Sequence, residues 1–435
     1  MSRVNIVTLG CSKNLVDSEY LSSQLQNSGF QVEHEAKHPA EITIINTCGF
    51  INDAKQESIE TILEHARQKE QGHISRLYVM GCLSQRYRDE LAREMPEVDG
   101  FFGVYEQPRI VAALRGKFDA STGHQRHLAT PHHYAYLKVA EGCNRNCSFC
   151  SIPLIKGNYK SKPIEELQKE ASFLAGKGVR ELNLIAQDLS GYGQDYYKKK
   201  MLPGLLEALE GLQAFEWIRL LYAYPAGFPT GVLDMMQQSG SICHYLDIPL
   251  QHISDRMLKR MRRGHHRQHA ENLIELIDRK LPNATLRTTL LVGHPGESEK
   301  DFLELLEFVR QARFDRLGVF TYSEEEGTHS AMNYKDDVPA HVKRERTDEL
   351  MQLQQEISLQ KNQQMVGSRV KVLIDEAGDG YAYGRTEGDA PEVDNGVVIE
   401  MDDRPALKPG RFYETTITDA GEYDLYARLM DASSV

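Results

Sequence analysis

At 435 residues and a formal net charge of −12, the chain is too long for one compact core and fits two or three domains. Hydrophobic residues make up 40% of it, charged residues 26%, and no apolar run is long enough to cross a membrane. Its first residues alternate like a strand and lack the apolar core of a signal peptide, so we expect a soluble, cytosolic protein with no membrane partner. In that compartment, seven cysteines indicate metal binding or catalysis rather than disulfides.

The first 130 residues predict alternating strands and helices. Strands are expected at 4–9, 42–46 and 77–81, and helices at 16–29, 52–69 and 84–95, the last with Ser84 as its N-cap. Because parallel strands need crossover connections, this alternation predicts a parallel-sheet α/β domain.

Three cysteines, Cys11, Cys48 and Cys82, each follow one of these strands. The carboxyl ends of parallel strands share one sheet edge, where open α/β folds bind their ligands, so the three thiols are expected to lie together. Each also neighbours a glycine, which permits close backbone approach. Three unrelated buried thiols are the alternative, but their equivalent positions favour a shared iron–sulfur cluster with one open iron.

A polar linker that carries four histidines ends this domain. The side chains of His124, His127, His132 and His133 could bind a metal ion. In a linker of this composition histidines are more often solvated, so metal binding there is the less favoured interpretation.

Residues 136–140 predict a strand that leads into a loop with three more cysteines. Cys143, Cys147 and Cys150 are separated by three and then two residues, and Phe149 precedes the last. A four-iron cluster normally takes four thiolates, so this triad indicates a cluster with one open iron, where a substrate can bind. A structural zinc site would want a fourth Cys or His at a regular offset, and none follows Cys150 closely.

A second strand and helix alternation continues from this loop. Strands are expected at 181–186, 217–222, 245–248, 285–292 and 316–321, and helices at 164–176, 202–212, 255–263, 270–281 and 299–313. Six strands with crossover helices predict a partial (β/α) barrel, whose chemistry gathers at the carboxyl ends of its strands. The residues at those ends are Gln187, Asp188, Asp247, Gln251, His252, Gly293 and Glu297.

The C-terminal part is of a different kind. After a connecting helix at 347–365, alternating segments at 369–374, 397–400 and 413–418 are separated by Gly, Asp and Pro turns. This pattern predicts a small antiparallel β-barrel.

Charge is distributed unevenly along the chain. The dense basic run at 256–267 either faces a phosphate-rich partner or forms a solvated helix face. Residues 366–435 hold seven Lys or Arg and fifteen Asp or Glu, a formal charge of −8. Because such a surface attracts basic proteins and repels phosphate, we expect Asp389, Glu392 and Asp394 to belong to a recognition surface for a basic protein.

Several short motifs connect these parts to a known family. They are Gly-Cys-Ser-Lys-Asn from Gly10, Asn-Thr-Cys-Gly-Phe from Asn46, Met-Gly-Cys-Leu from Met80 and Leu-Val-Gly-His-Pro-Gly-Glu from Leu291. Together with the CxxxCxxC loop, they resemble the methylthiotransferases of the radical S-adenosylmethionine (SAM) superfamily over essentially the whole chain. The resemblance implies an auxiliary-cluster domain at 1–130, a radical SAM barrel with its connecting helix at 131–365, and a TRAM-like domain for substrate recognition at 366–435.

The resemblance also implies roles for the candidate residues. Two 4Fe-4S clusters would be held, the SAM-cleaving one by Cys143, Cys147 and Cys150, and the auxiliary, sulfur-carrying one by Cys11, Cys48 and Cys82. The implied SAM contacts are Phe149, near the adenine, with Gln187, Asp247, Gln251 and Gly293. Two SAM molecules per turnover, an external sulfur source and a low-potential electron donor such as flavodoxin or ferredoxin complete the implied reaction.

Two segments resemble the member that modifies a ribosomal protein more than those that modify tRNA. They begin at Tyr322 (Tyr-Ser-Glu-Glu-Glu-Gly-Thr-His) and at Gly384 (Gly-Arg-Thr-Glu-Gly-Asp-Ala-Pro). The implied substrate is an aspartate β-carbon in the twelfth protein of the small ribosomal subunit, within the assembled or assembling subunit, and the implied enzyme is a monomer.

Two alternatives stay open. A tRNA adenosine methylthiotransferase would use the same chemistry, but the acidic C-terminal part and the run Glu324-Glu325-Glu326 disfavour a nucleic-acid partner. A non-catalytic iron–sulfur sensor or scaffold would need neither the barrel nor two triads that each lack a fourth ligand.

Overall fold

The computed structural model describes residues 2–378, 380–401 and 407–430. Its main sheets follow one another along the chain: a five-stranded sheet, a six-stranded sheet and a closed five-stranded barrel. Within the described residues, no helix has the length and apolar character needed to cross a membrane. The predicted fold class, α/β with a small C-terminal β-barrel, is confirmed.

The N-terminal sheet is parallel throughout, with the strand order β2-β1-β3-β4-β5. Its elements are β1 (Arg3–Thr8), α1 (Ser12–Asn27), β2 (Gln31–His34), β3 (Ile42–Thr47), α2 (Asn52–Glu70), β4 (Arg76–Gly81), α3 (Cys82–Glu94), β5 (Gly100–Phe101) and α4 (Gln107–Ala113). Helices α1 and α4 pack on one face and α2 and α3 on the other. The central strand β3 is therefore buried along its whole length.

Two helices begin earlier than predicted. Cys11 is the N-cap of α1, and Cys82 is the first residue of α3, so the predicted N-cap at Ser84 is wrong. Helix α3 begins early because Gly81, with a φ of +104°, turns the chain from β4 directly into the helix. A Cβ there would lie 2.5 Å from the carbonyl oxygen of Thr47. Two of the three thiols consequently lie at helix N-termini, where the helix dipole favours negative charge.

The central domain is built on a parallel sheet with the order β13-β12-β11-β10-β9-β6. Its strands are β6 (Tyr134–Lys138), β7 (Ala140–Glu141), β8 (Lys160–Ser161), β9 (Glu181–Ile185), β10 (Trp217–Leu220), β11 (Ile242–Asp247), β12 (Thr285–Val292) and β13 (Arg316–Thr321). Its helices are α5 (Ile152–Lys156), α6 (Ile164–Gly176), α7 (Leu202–Glu210), α8 (Gly231–Gln238), α9 (Asp255–Arg260), α10 (Arg267–Lys280), α11 (Glu299–Ala312), α12 (His329–Asn333) and α13 (Ala340–Gln364). One face of this open sheet packs against its helices, in the largest core of the protein.

The other face of the central sheet is covered by the two flanking domains. Val16 of α1 and Leu373 and Ala390 of the C-terminal domain pack there against aromatic side chains of the sheet, including Tyr134 and Trp217. The three domains therefore share one apolar interface.

The C-terminal barrel closes in the order β14-β15-β16-β18-β17. Its strands are β14 (Arg369–Ala377), β15 (Tyr381–Arg385), β16 (Val397–Glu400), β17 (Phe412–Ala420) and β18 (Leu425–Leu429). The sequence predicted three of these strands and missed β15 and β18. Both missed strands are five residues long and contain no β-branched residue. Their strand conformation therefore depends on hydrogen bonding to neighbouring strands rather than on the intrinsic β-propensity of their residues.

The carboxylates expected to form a recognition surface bond to the central domain instead. For Asp389 and Asp394, whose side chains are 2% exposed, that expectation is wrong, while Glu392 stays exposed. Their partners are Arg316 at 2.6 Å from Asp389, the Tyr134 hydroxyl at 2.9 Å from Glu392, and Arg287 at 3.2 Å from Asp394. These contacts fix the β15–β16 connection on the central sheet. Two of the negative charges counted in the C-terminal part, those of Asp389 and Asp394, are buried inside the protein.

Candidate functional site

The structure brings Cys11, Cys48 and Cys82 together at the carboxyl edge of the N-terminal sheet. They follow β1, β3 and β4, which are adjacent strands. A Cβ added to Gly10 would lie 2.7 Å from the Cβ of Cys48, so only glycine permits this approach. Cys48 and Cys82 are buried, while Cys11 is exposed. The triad is thus open to solvent on the side of Cys11.

Asn14 organises this edge, and the sequence reasoning did not identify it. Its amide donates hydrogen bonds to the carbonyl oxygens of Leu9 at 3.0 Å and Thr47 at 3.1 Å, at the ends of β1 and β3. Its own amide oxygen lies 3.7 Å from the sulfur of Cys82. One buried amide therefore joins the three strand ends. The sequence feature that could have identified Asn14 is its position at the end of the Gly-Cys-Ser-Lys-Asn motif that begins at Gly10.

The second triad lies on a loop that a small antiparallel pair closes at its base. Strands β7 and β8 pair through Ala140 and Ser161. Inside the loop, the backbone N–H of Cys143 donates to the carbonyl oxygen of Gly157 at 3.1 Å, and that of Cys150 donates to Cys147 at 3.2 Å. These bonds fix the backbone that carries all three cysteines.

Cationic and phenolic groups approach the sulfur of Cys147. The guanidinium of Arg263 donates to it at 3.1 Å, and the hydroxyl of Tyr224 lies 3.7 Å away. The guanidinium of Arg145 lies 4.0 Å from the centre of the Tyr224 ring. Arg263 belongs to the basic run for which two surface roles were considered, but it is buried and turned towards the loop. Such cations stabilise thiolates.

Burial raises the pKa of most of these thiols. The pKa of Cys143 rises to about 11, those of Cys150 and Cys82 rise to about 12, and that of Cys48 also rises. These four groups are therefore neutral at pH 7 unless a metal takes the place of the proton.

Each triad offers three thiols and no fourth cysteine, which is the donor set of a four-iron cluster with one open iron. In the part of the chain that the structure describes, no three His, Cys, Asp or Glu side chains are arranged to hold a metal ion. A zinc ion needs all its ligand atoms around one centre, whereas a cluster spreads its thiolates over separate irons. Buried side-chain oxygens without a hydrogen-bond partner in the described chain lie near both triads, at Ser12, Asn46, Ser84, Ser151, Gln187 and Asp188.

The linker histidines do not form such a site either. His127 bonds to the hydroxyl of Ser22 at 2.8 Å, and the buried His133 bonds to Asp375 at 2.8 Å. They therefore attach the linker to two different domains.

Phe149, Gln187, Gln251 and Gly293 lie beside the second triad or at strand ends. The Phe149 ring packs with an apolar cluster that contains Met257, Met261, Leu291 and Tyr322. Gln187 donates to Glu141 at 2.5 Å. Gln251 and Gly293 both have positive φ values, +72° and +73°, where the chain leaves the sheet.

Asp247 has both carboxylate oxygens engaged. One pairs with Arg287 at 3.1 Å and the other accepts the backbone N–H of Tyr222 at 2.9 Å. In this structure its carboxylate shapes the chain around Tyr222 rather than standing free for a ligand.

Two buried lysines and two half-buried carboxylates connect the two triads. Lys156 lies 3.3 Å from Asp17 of α1 and 3.5 Å from Glu141, and Lys138 binds both carboxylates as well. Although burial opposes it, the two lysines hold the pKa of Glu141 well below its usual range. Because Asp17 lies on the helix that Cys11 caps and Glu141 precedes Cys143, these pairs fix the triads relative to each other.

Glu325 attaches the N-terminal domain to the central one. Its buried carboxylate lies 3.0 Å from Lys55 of α2 and 3.0 Å from Arg86 of α3. The run Glu324-Glu325-Glu326 is therefore not a uniformly free acidic surface, which weakens one argument against a nucleic-acid partner.

Three family descriptions match the sequence. They are Uncharacterized protein family UPF0004 at residues 3–103, the Radical SAM superfamily at 137–309 and the TRAM domain at 366–430.

Similar known proteins span the whole chain. It is 51% identical over 430 residues to the ribosomal protein uS12 methylthiotransferase RimO of Bacteroides thetaiotaomicron, covering 99% of this chain and 98% of the relative. The same-named protein of Porphyromonas gingivalis is 50% identical over 431 residues, covering 99% of each chain. Among solved structures, the radical SAM methyltransferase TsrM of Kitasatospora setae, with cobalamin and a [4Fe-4S] cluster bound, is 13% identical with a TM-score of 0.55, over 76% of this chain and 74% of that one. That likeness concerns the fold alone.

Proposed function

Since the chain belongs to the RimO family of radical SAM methylthiotransferases, we propose that it adds a methylthio group to uS12, the twelfth protein of the small ribosomal subunit. The observation that carries this proposal is the pair of three-cysteine sets joined by Asp17, Lys156 and Glu141. Two sites of this kind, held at a fixed distance, suit a reaction that must join a sulfur group to a carbon radical.

The target is the β-carbon of an aspartate. An unactivated C–H bond has no useful acidity at neutral pH, so neither a general base nor a nucleophile can begin the reaction. When bound, SAM and two 4Fe-4S clusters supply the radical, the methyl group and the sulfur.

The chain's own residues hold and orient these groups. Cys143, Cys147 and Cys150 would hold the SAM-cleaving cluster, and Cys11, Cys48 and Cys82 the auxiliary one. Arg263 and Tyr224 stabilise negative charge on Cys147. The proposed SAM contacts are Phe149, Gln187, Asp247, Gln251 and Gly293, and the position of Asp247 supports an indirect role through Tyr222.

The remaining requirements follow from this chemistry. Two SAM molecules per turnover, an external sulfur source and a low-potential donor such as flavodoxin or ferredoxin are part of the proposal. Residues 1–130 serve the auxiliary cluster, 131–365 the radical step and 366–435 substrate recognition. The substrate is uS12 in the assembled or assembling subunit, in the cytoplasm, and the enzyme acts as a monomer.

Hydrolysates of uS12 and of tRNA from a strain without this gene test the proposal. We expect methylthio-aspartate to disappear from uS12 while methylthio-adenosine in tRNA is unchanged. Return of the modification with the wild-type gene, but not with Cys48→Ala, is the matched control. Loss of the tRNA modification alone would make the chain a tRNA enzyme, and no loss in either hydrolysate would favour a sensor or scaffold.

A further inference from the structure

Lys13 lies where the N-terminal and central domains meet. It follows Cys11 by two residues and is only 8% exposed. Its ammonium nitrogen lies 3.1 Å from the centre of the Tyr222 ring, at the end of β10 in the central domain. A lysine in the first turn of α1, the helix that Cys11 caps, therefore reaches into the radical SAM domain.

The charge of Lys13 is not balanced by a carboxylate. Lys138 and Lys156, the other buried lysines of this region, both pair with Asp17 and Glu141. For Lys13 the described residues provide no carboxylate within 4.0 Å and no hydrogen-bond acceptor, only the face of Tyr222. An aromatic face attracts a cation but leaves its charge and its hydrogen-bond donors available. Lys13 is 8% exposed and no carboxylate pairs with it in the described chain, so its hydrogen-bond donors are available to an anion that comes from outside the chain.

The backbone of Tyr222 is held in an uncommon conformation beneath Lys13. Its φ is +64°, in the left-handed region that bulky residues rarely adopt. Asp247 accepts its N–H at 2.9 Å, and its carbonyl oxygen accepts the N–H of Leu189 at 3.0 Å. Backbone of this kind persists where surrounding contacts enforce it, and it is often found at functional sites.

The same short segment reaches both cysteine triads. Tyr222 lies under Lys13, next to Cys11, and two residues later the hydroxyl of Tyr224 lies 3.7 Å from the sulfur of Cys147. A substrate carbon that receives sulfur from one site after losing hydrogen at the other must lie between them. Lys13 is thus placed beside the expected position of that carbon.

We propose that Lys13 binds the side-chain carboxylate of the target aspartate. The inference rests on the proposed function and deepens it, since it names the group that distinguishes an aspartate from an amide or a nucleobase. The carboxylate adjoins the β-carbon, so an ion pair with Lys13 would fix that carbon between the two triads. Cys11, two residues before Lys13, is exposed, so this side of the triad is open to solvent.

The test compares two substrates, uS12 and uS12 with its target aspartate replaced by asparagine, on the reconstituted full-length enzyme. We expect wild type to prefer the aspartate substrate in kcat/KM roughly ten- to a hundredfold, the range set by a hydrogen bond to a charged group. In Lys13→Met this preference should vanish, because the aspartate substrate loses that factor while the asparagine substrate does not. Lys13→Arg should retain a preference.

The exposed Lys37→Met serves as the matched control and should keep wild-type iron content, SAM cleavage and substrate preference. A structural role for Lys13 would slow both substrates equally and leave the preference intact, which would overturn the proposal. If Lys13→Met does not fold and assemble, the comparison on the wild-type enzyme tests the proposal. Equal wild-type rates on the aspartate and asparagine substrates would overturn it. Modification of tRNA but not of uS12 would refute the proposed function itself, and this inference with it.

Discussion

The guanidinium of Arg316, on β13 of the central sheet, lies 2.6 Å from the carboxylate of Asp389 in the C-terminal barrel. Asp389 is almost completely buried, and Thr386 also donates to it at 2.7 Å. This pair and its neighbours fix the barrel on the central domain. Asp389 is therefore not available for contact with another molecule.

Asp389→Asn should loosen the C-terminal barrel from the central sheet. Removing one partner of a buried ion pair leaves the other charge uncompensated, which costs about 3–5 kcal/mol, and somewhat less here because Arg316 is partly exposed. We expect a lower thermal midpoint and faster tryptic cleavage between α13 and β14. The control Glu414→Gln, an exposed position in the same barrel, should change neither the thermal midpoint nor the cleavage rate. If the two variants behave alike, Asp389 does not hold the barrel on the central sheet.

Glu325→Gln should separate the two half-reactions. It leaves Lys55 and Arg86 without their shared carboxylate, so the N-terminal domain loses its fixed position over the central domain. Formation of 5′-deoxyadenosine should continue, while methylthio product per deoxyadenosine should fall about tenfold, the effect of misplacing one reactant. The neighbouring, exposed Glu324→Gln is the matched control. A parallel loss of both products would show that Glu325 does not act on domain position.

Cys147→Ala and Cys48→Ala should fail at different steps. Reconstituted wild type should hold about eight irons in two clusters. Cys147→Ala should abolish SAM cleavage, whereas Cys48→Ala should still form 5′-deoxyadenosine but no methylthio product. The buried Cys243→Ala, outside both triads, should retain all iron and both activities. If a variant without Cys143, Cys147 and Cys150 binds no iron at all, the two sites are not independent.

His294 should make stability depend on pH. It is buried with its ring nitrogen 2.9 Å from the hydroxyl of Ser330, and burial lowers its pKa from 6.5 to about 4. Between those values the unfolded chain binds more protons, so stability is fully present above pH 6.5 and is lost as the pH falls towards 4, by at most about 3 kcal/mol. In apoprotein, His294→Gln should lower the thermal midpoint at pH 7.5 but by less at pH 5. The exposed His38→Gln is the control and should leave the pH dependence of stability unchanged. Identical pH profiles of the thermal midpoint for wild type and His294→Gln would show that His294 does not cause this pH dependence.

The sequence by itself determined the kinds of elements and where the cysteines stand on them. Apolar periods predicted β3 and β12, and turn residues predicted that the C-terminal part is a β-barrel, since these signals are local. The place of Cys11, Cys48 and Cys82 at one sheet edge also followed, because parallel strands bring their carboxyl ends together whatever the side chains do.

Only the tertiary structure decided which charges act on which groups. Asp389 and Glu325 look like surface carboxylates in sequence, and each has its cationic partner more than 70 residues away in another domain. The sequence does not distinguish Lys13 from Lys138 and Lys156. In the folded chain, only Lys13 of these three has no carboxylate partner among the described residues. Pairing depends on distances of a few ångströms across domain interfaces, because electrostatic attraction falls with separation and with solvent screening. Sequence spacing holds no information about those distances, so the free charge beside the two triads became visible only in the folded chain.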